Sequence, residues 1–254
     1  MKDKIIKYLK TIEEEKNIKI LLACETGSRA WGFPSPDSDY DIRMIYIHKK
    51  DWYLSLKEKK DSINLMYENN DIDITGWELR KALRLLKKSN PPLLERIQSP
   101  ILYLYDEEFL SEINKISKGV YSKISTIYHY LNMSKKIFEE IENSNKYKLK
   151  KLFYALRTAV TCKWIMEKDE IPPIEFNTML ENLDLDENLV KRIRELIILK
   201  ADASETYLHS GETEVFLFIK GILELAEIKS KDLSAAKFDS EILDVFFRKS
   251  LNKF

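Results

Sequence analysis

The chain is poor in the residues that staple or clip small folds. It has only two cysteines and three histidines in 254 residues. Cys24 and Cys162 lie far apart in apolar sequence, which predicts two buried thiols and no disulfide scaffold. His48, His129 and His209 have no partner at ligand spacing, so no zinc site is expected. There is no excess charge of either sign: Lys+Arg and Asp+Glu both number 42. A protein whose whole surface grips nucleic acid is usually basic, and this one is not, although a local basic groove remains compatible. The opening stretch MKDKIIKYLKTIEEEKN is charged throughout and lacks the apolar centre of a signal peptide. No apolar run reaches about 18 residues, so no membrane span and no membrane partner are expected. A reduced, cytoplasmic setting follows as the expectation. Neither G-x-x-x-x-G-K-[ST] nor G-x-S-x-G occurs.

What is present is a globular composition, 44% hydrophobic, in a chain long enough for one large or two modest domains. Helical spacing runs from Lys2 to Lys16, and Lys19–Cys24 reads as a buried strand. Residues 25–38 read as a loop with one helical turn after Ser28. Asp39–Ile47, Ile63–Tyr67, Asp71–Thr75 and Ile101–Tyr105 read as strands. Trp77–Lys88 reads as an amphipathic helix stopped by Ser89-Asn90-Pro91-Pro92, with a short helix over Pro91–Gln98. After about residue 106 the strand signals stop. Helical patterns cover 109–117, 121–141, 148–167, 174–183, 187–209, 212–228 and 240–251, and Lys229–Ser240 reads as an exposed connection. The fold class is α+β, with a mixed-sheet domain over 1–110 and an all-helical domain over 111–254.

The chemistry is concentrated between Gly27 and Asp73. Asp39 and Asp41 are two apart on one strand and share a face, about 6.5–7 Å apart. At ~5 Å between carboxylates and an effective dielectric near 20, their repulsion costs roughly 3 kcal/mol. A divalent cation relieves it. Mg²⁺ takes hard oxygen ligands, often one or two carboxylates plus phosphate oxygens. A third carboxylate from a neighbouring strand would complete a two-metal site, with Asp71 and Asp73 as candidates. Gly27-Ser28 directly follows a strand, where glycine permits close backbone approach and serine donates to phosphate. Phosphate donors beside metal ligands are the equipment of phosphoryl or nucleotidyl transfer. Arg29 is placed to reach phosphate. Arg43 shares the face of Asp39 and Asp41. Glu25 is placed to tie the Gly-Ser turn.

Gly-Ser, ten residues and then Asp-x-Asp in an apolar strand resembles the DNA polymerase β-type nucleotidyltransferase signature. More narrowly, GSRAWGFPSPDSDYDIRMIY, then DIDITGWELRKALRLLKKSNPPLLERIQSPILY, then KKLFYALRTAVTCKWI resembles the RlaP family of nucleotidyltransferases associated with RNA repair. The resemblance is dense over 24–105 and thinner over 121–180. It implies that Gly27 and Ser28 hold the triphosphate of an NTP substrate and that Asp39 and Asp41 bind Mg²⁺ or Mn²⁺. The third carboxylate is assigned to Asp73, with Asp71 the alternative. Nucleotide binding is expected at Gly27, Ser28 and Arg29, and catalysis and metal binding at Asp39, Asp41 and Asp73. The acceptor is expected to be an RNA end. The balanced charge keeps a protein or small-molecule acceptor, or a nucleotide-sensing module, as alternatives. Trp31 and Trp77 read as core anchors more than base-stacking platforms. Lys81, Arg84, Lys87 and Lys88 form a basic helix side, and Lys150, Lys151, Tyr154 and Arg157 line up at helical spacing. No arginine stands four to six residues before His129 or His209, so a HEPN-type nuclease is not expected.

Overall fold

A computed structural model describes residues 1–234 and 238–254. The chain divides into two compact units. One holds Met1–Ala30, Asp39–Tyr121 and the C-terminal helix, and the other holds Trp31–Ser38 and the helices that follow Ser122.

In the first unit, α1 (Lys2–Lys16) buries Ile5, Leu9 and Ile12, the apolar positions of its 3.6-residue period. Asn17, in the left-handed conformation at φ 49°, ends it by donating its N–H to the carbonyls of Glu13 and Glu14. The strands are β1 (Ile18–Glu25), β2 (Tyr40–His48), β3 (Ser62–Tyr67), β4 (Ile72–Glu78) and β5 (Leu102–Tyr105), joined in the order β3-β4-β2-β1-β5. Among the described residues only β2 and β4 run parallel. Two short helices, α2 (Gly27–Trp31) and α3 (Lys50–Tyr53), flank β2.

Strand alternation sorts the sheet into two chemistries. Ile42, Met44 and Tyr46 of β2 and Ile72 and Ile74 of β4 are buried in one cluster with Ile5, Leu9 and Ile12 of α1. Each such side chain contributes roughly 1.5–3 kcal/mol on burial. Asp41, Arg43, Asp73, Thr75 and Trp77 belong to the opposite face. Gly76 permits a close approach within the apolar cluster, because a Cβ there would meet Met44 Cε at 2.5 Å, Met44 Cγ at 2.8 Å and Tyr46 at 3.1 Å.

The strand β4 runs further than the alternation of Asp71–Thr75 suggests, through Gly76, Trp77 and Glu78. Trp77 is therefore a strand residue. The helix α4 (Leu79–Lys87) starts only where the Glu78 carboxylate accepts the N–H groups of Arg80 and Lys81. Asn90 caps α5 (Pro91–Gln98), with proline at its first turn, and Asp106 caps α6 (Glu107–Val120).

The expected boundary at 110/111 falls inside α6. That helix buries Phe109, Ile113, Ile116 and Val120 within the first unit. The C-terminal helix, Glu241–Lys253, also belongs there. Its Phe246 stacks on Phe109 at 5.4 Å and its Phe247 meets Tyr53 at 5.4 Å. Lys253 pairs with Asp106 and Glu108, and Lys249 with Glu112. These contacts join residues far apart in sequence, so no local pattern announces them.

In the second unit, α8 (Leu149–Glu167) is buried on most of its circumference. Against it pack α7 (Lys123–Glu139), α9 (Phe176–Asn182) and α11 (Thr213–Lys229), and α10 (Glu187–Asp202) adds Leu189, Ile193 and Leu196 to the same core. The pattern read as one helix over 187–209 stops at Asp202. Leu208–His209 instead pairs as a strand, β7, with β6 (Tyr147–Lys148), a small ribbon in the expected all-helical half. The C-terminal helix of the first unit is α12. The connection read over 229–240 includes residues 235–237, which lie outside the described residues.

Gly76→Ala should lower stability by about 1–3 kcal/mol, the usual penalty of overpacking. A denaturation midpoint equal to that of the parent would show that Met44 and Tyr46 give way freely.

Candidate active site

The loop between the Gly-Ser turn and the aspartates is not free chain. Phe33 is buried in the helical core, 5.0 Å from Phe153 and 5.6 Å from Phe176. Ser35 and Ser38 close a turn, with the Ser38 N–H on the Ser35 carbonyl. The buried Lys200 ammonium donates to Ser35 Oγ at 2.8 Å, and burial lowers its pKa. Ser38 Oγ donates to Glu205, while Asp37 accepts the Glu205 N–H at 2.9 Å. Trp31 belongs to the same unit. Its ring packs against Tyr154, and the buried Arg157 guanidinium lies 4.2 Å over it. That is the core-anchor role. Lys150 pairs with Glu205 and Lys151 with Glu140, so the basic row on α8 has internal partners.

The strand pairing places Glu25 beside the Asp41 segment. Glu25 is fully buried. Its Oε1 accepts the Asp41 N–H at 2.6 Å, and its Oε2 accepts the Tyr103 hydroxyl. Burial pushes its pKa up to about 6, against the opposing pull of those hydrogen bonds. Thr26 N–H and hydroxyl both donate to the Asp41 carbonyl, at 2.9 and 3.2 Å. Gly27 follows with φ +65°, where a Cβ would lie 2.2 Å from Asp41 Oδ2. Glycine is needed twice over, for the left-handed backbone and for the room that Asp41 occupies.

Asp41 and Asp73 are register partners on the parallel strands β2 and β4. Both reach one nitrogen of Arg43: Nη2 lies 2.7 Å from Asp41 Oδ1 and 2.9 Å from Asp73 Oδ2. Thr75 donates to the other Asp73 oxygen at 3.3 Å. Asp39 precedes the first residue of β2 and is exposed. Asp71 is also exposed, and its carbonyl accepts the Tyr40 N–H at 2.8 Å. It is therefore Asp73, not Asp71, that the strand register sets beside Asp41. Arg29 lies over the Tyr40 ring at 3.9 Å and donates Nε to the Asp39 carbonyl. Ser28 is buried beside Gly27.

Two residues escaped the sequence reading. Arg96 on α5 is buried, stacks 3.3 Å from the Trp77 ring centre and donates to the Met44 carbonyl. Burial lowers its pKa, and the charge of Asp73 opposes that. Tyr103 completes the Glu25 carboxylate. Neither has a sequence signal, because Arg96 meets Met44 and Tyr103 meets Glu25 across more than fifty residues. Cys24 and Cys162 are both buried free thiols, as expected.

Among the described residues no three His, Cys, Asp or Glu side chains form a ready metal cage. The donor chemistry nonetheless suits a hard divalent cation, since two carboxylates converge on a single positive nitrogen. Among the described residues no helix is long and apolar enough to cross a membrane.

This sheet, with paired acids on adjacent strands and a glycine turn packed on one of them, is that of a polymerase β-type nucleotidyltransferase. The chain belongs to the RNA repair pathway DNA polymerase beta family, RlaP, which it matches over residues 1–249. It is 39% identical over 239 residues to the "Uncharacterized protein YcgL" of Bacillus subtilis (strain 168), covering 94% of this chain and 92% of that one. Among solved structures it is similar to spectinomycin adenyltransferase AAD(9) from Enterococcus faecialis with ATP and spectinomycin. That likeness has 14% identity and a TM-score of 0.45, over 87% of this chain and 98% of that one. A nucleotidyltransferase-like protein from Exiguobacterium sibiricum 255-15 gives 13% identity and a TM-score of 0.33, over 89% and 78%. Membership of the family rests on the first of these likenesses.

The raised Glu25 pKa has a defined sign. The folded state holds this proton more tightly than the unfolded chain does, so the contribution is fully present below the ordinary value of 4.5 and is lost as pH rises to about 6. Relative to Glu25→Gln, the parent should lose about 2 kcal/mol of stability between pH 4.5 and 7. Denaturant curves for the two proteins that stay parallel over that range would refute this.

Proposed function

We propose that the protein transfers a nucleoside monophosphate from an NTP to an acceptor hydroxyl and releases pyrophosphate. The observation that carries this reading is the packing of Asp41 on Gly27 with Asp73 alongside. It brings the Gly-Ser turn and a pair of hard carboxylates to one place, which supports a phosphate-binding role for the turn. Gly27 and Ser28 hold the triphosphate through backbone and hydroxyl donors, and Arg29 adds charge beside them. Asp39, Asp41 and Asp73 are the residues that would hold Mg²⁺ or Mn²⁺. When bound, the cation neutralises charge that builds on the phosphates during transfer.

Asp73 has a second task. It accepts the proton of the attacking acceptor hydroxyl as the new O–P bond forms and the bond to pyrophosphate breaks. Positioning and charge neutralisation supply most of the rate in this chemistry, so a small set of residues suffices. The family's RNA repair association supports an RNA end as acceptor. Two buried free thiols fit a reduced, cytoplasmic setting.

The test is label transfer from each α-labelled NTP with Mg²⁺ or Mn²⁺, offered separately to RNA, protein and small-metabolite fractions. Label should appear on RNA and fall at least 100-fold in Asp41→Asn and in Asp73→Asn, with both variants folded. Label on protein or metabolites would move the acceptor class. Undiminished transfer by the variants would remove these residues from the chemistry. Gly27→Ala should also abolish transfer, because its Cβ would collide with Asp41. An active Gly27→Ala protein would separate the turn from the site.

A further inference from the structure

Arg43 stands two residues after Asp41 on β2 and faces the same side of the sheet. Its Nη1 donates to the carbonyls of Ile42 and Asp73, each at 3.1 Å. Its Nη2 bridges the carboxylates of Asp41 and Asp73. The guanidinium is thus tied to backbone and side chain of both parallel strands, with its side chain only 20% exposed. The other oxygen of each carboxylate faces a different neighbour: Asp73 Oδ1 accepts the Thr75 hydroxyl, and Asp41 Oδ2 lies against Gly27. A divalent cation held by these two carboxylates would compete with Arg43 for them. Magnesium draws oxygens to about 2.0–2.1 Å, closer than a guanidinium can. Two neighbouring cations also repel each other.

We propose that Arg43 is the internal counter-cation of the Asp41–Asp73 pair. It keeps the two carboxylates in register in the metal-free protein and is displaced from them when a divalent cation binds. The proposal rests on the reading of these carboxylates as the metal-binding pair. Arg43 is on this account a positioning residue. It suppresses metal binding in the absence of nucleotide and reduces the repulsion that would otherwise splay β2 from β4.

The full chain would be titrated with Mn²⁺ alone, without nucleotide, by electron paramagnetic resonance. Melting would be followed in chelator and in Mn²⁺. Arg43→Gln should bind Mn²⁺ at least fivefold more tightly than the parent, and Arg43→Lys by a smaller factor. Arg43→Gln should melt lower than the parent in chelator and regain more on adding Mn²⁺. If Arg43→Gln does not fold, Arg43→Lys carries the comparison. Mn²⁺ affinity that is equal or weaker in the Arg43 variants, or undetectable in every protein, overturns the proposal. The double variant Asp41→Asn/Asp73→Asn separates this failure from failure of the site itself. Loss of Mn²⁺ there, with no tightening in the Arg43 variants, leaves the site standing and removes the counter-cation. Unchanged Mn²⁺ binding there removes the site.

Discussion

A single buried carboxylate ties together the strands on which the site is built. Glu25 ends β1, receives the backbone N–H of Asp41 from β2, and receives the hydroxyl of Tyr103 from β5. Its own carbonyl takes the Ser99 hydroxyl at 2.6 Å. An uncompensated carboxylate in that position would be strongly destabilising, so its donors are obligatory partners. Because Asp41 is gripped through its backbone, its side chain is aimed before any ligand arrives. The glycine turn begins two residues after Glu25, so the same anchor sets the distance between the turn and the acid.

The opposite face of the sheet has a different economy of charge. Asp41, Asp73 and Arg43 form a compact triad in which one cation answers two anions. Arg96 adds a second buried guanidinium beneath Trp77, near enough for Asp73 to stabilise it. An apolar face against α1 and a charged face opposite are the two products of one alternating pattern. Ile42, Met44 and Tyr46 give the sheet its hold on α1, and the residues between them carry the chemistry.

Much of this was legible because it is local. The alternation of β2 and β4 and the helical spacing of α1 are visible in the residues themselves. So are the proline-marked start of α5 and the short step from Gly27-Ser28 to the aspartates. The choice between Asp71 and Asp73 was not legible, since both share one strand face; only the register of β4 against β2 sets Asp73 beside Asp41. The helical spacing around Trp77 extends the helix pattern back over it, whereas Glu78 delays the helix by capping it. A boundary at 110 falls within α6 for a similar reason. Helices α6 and α12 carry ordinary amphipathic patterns, and which sheet or bundle covers an apolar stripe is a tertiary matter.

The path of the chain has a consequence for the order of assembly. It leaves the first unit after Ala30, returns at Asp39, leaves again after Tyr121, and supplies α12 only after the whole helical set has been made. Phe109 and Tyr53 wait more than a hundred residues for Phe246 and Phe247. A growing chain can therefore form the sheet early but holds an uncovered apolar seam until synthesis reaches α12. During that interval the exposed seam is open to non-native contacts that the finished fold excludes.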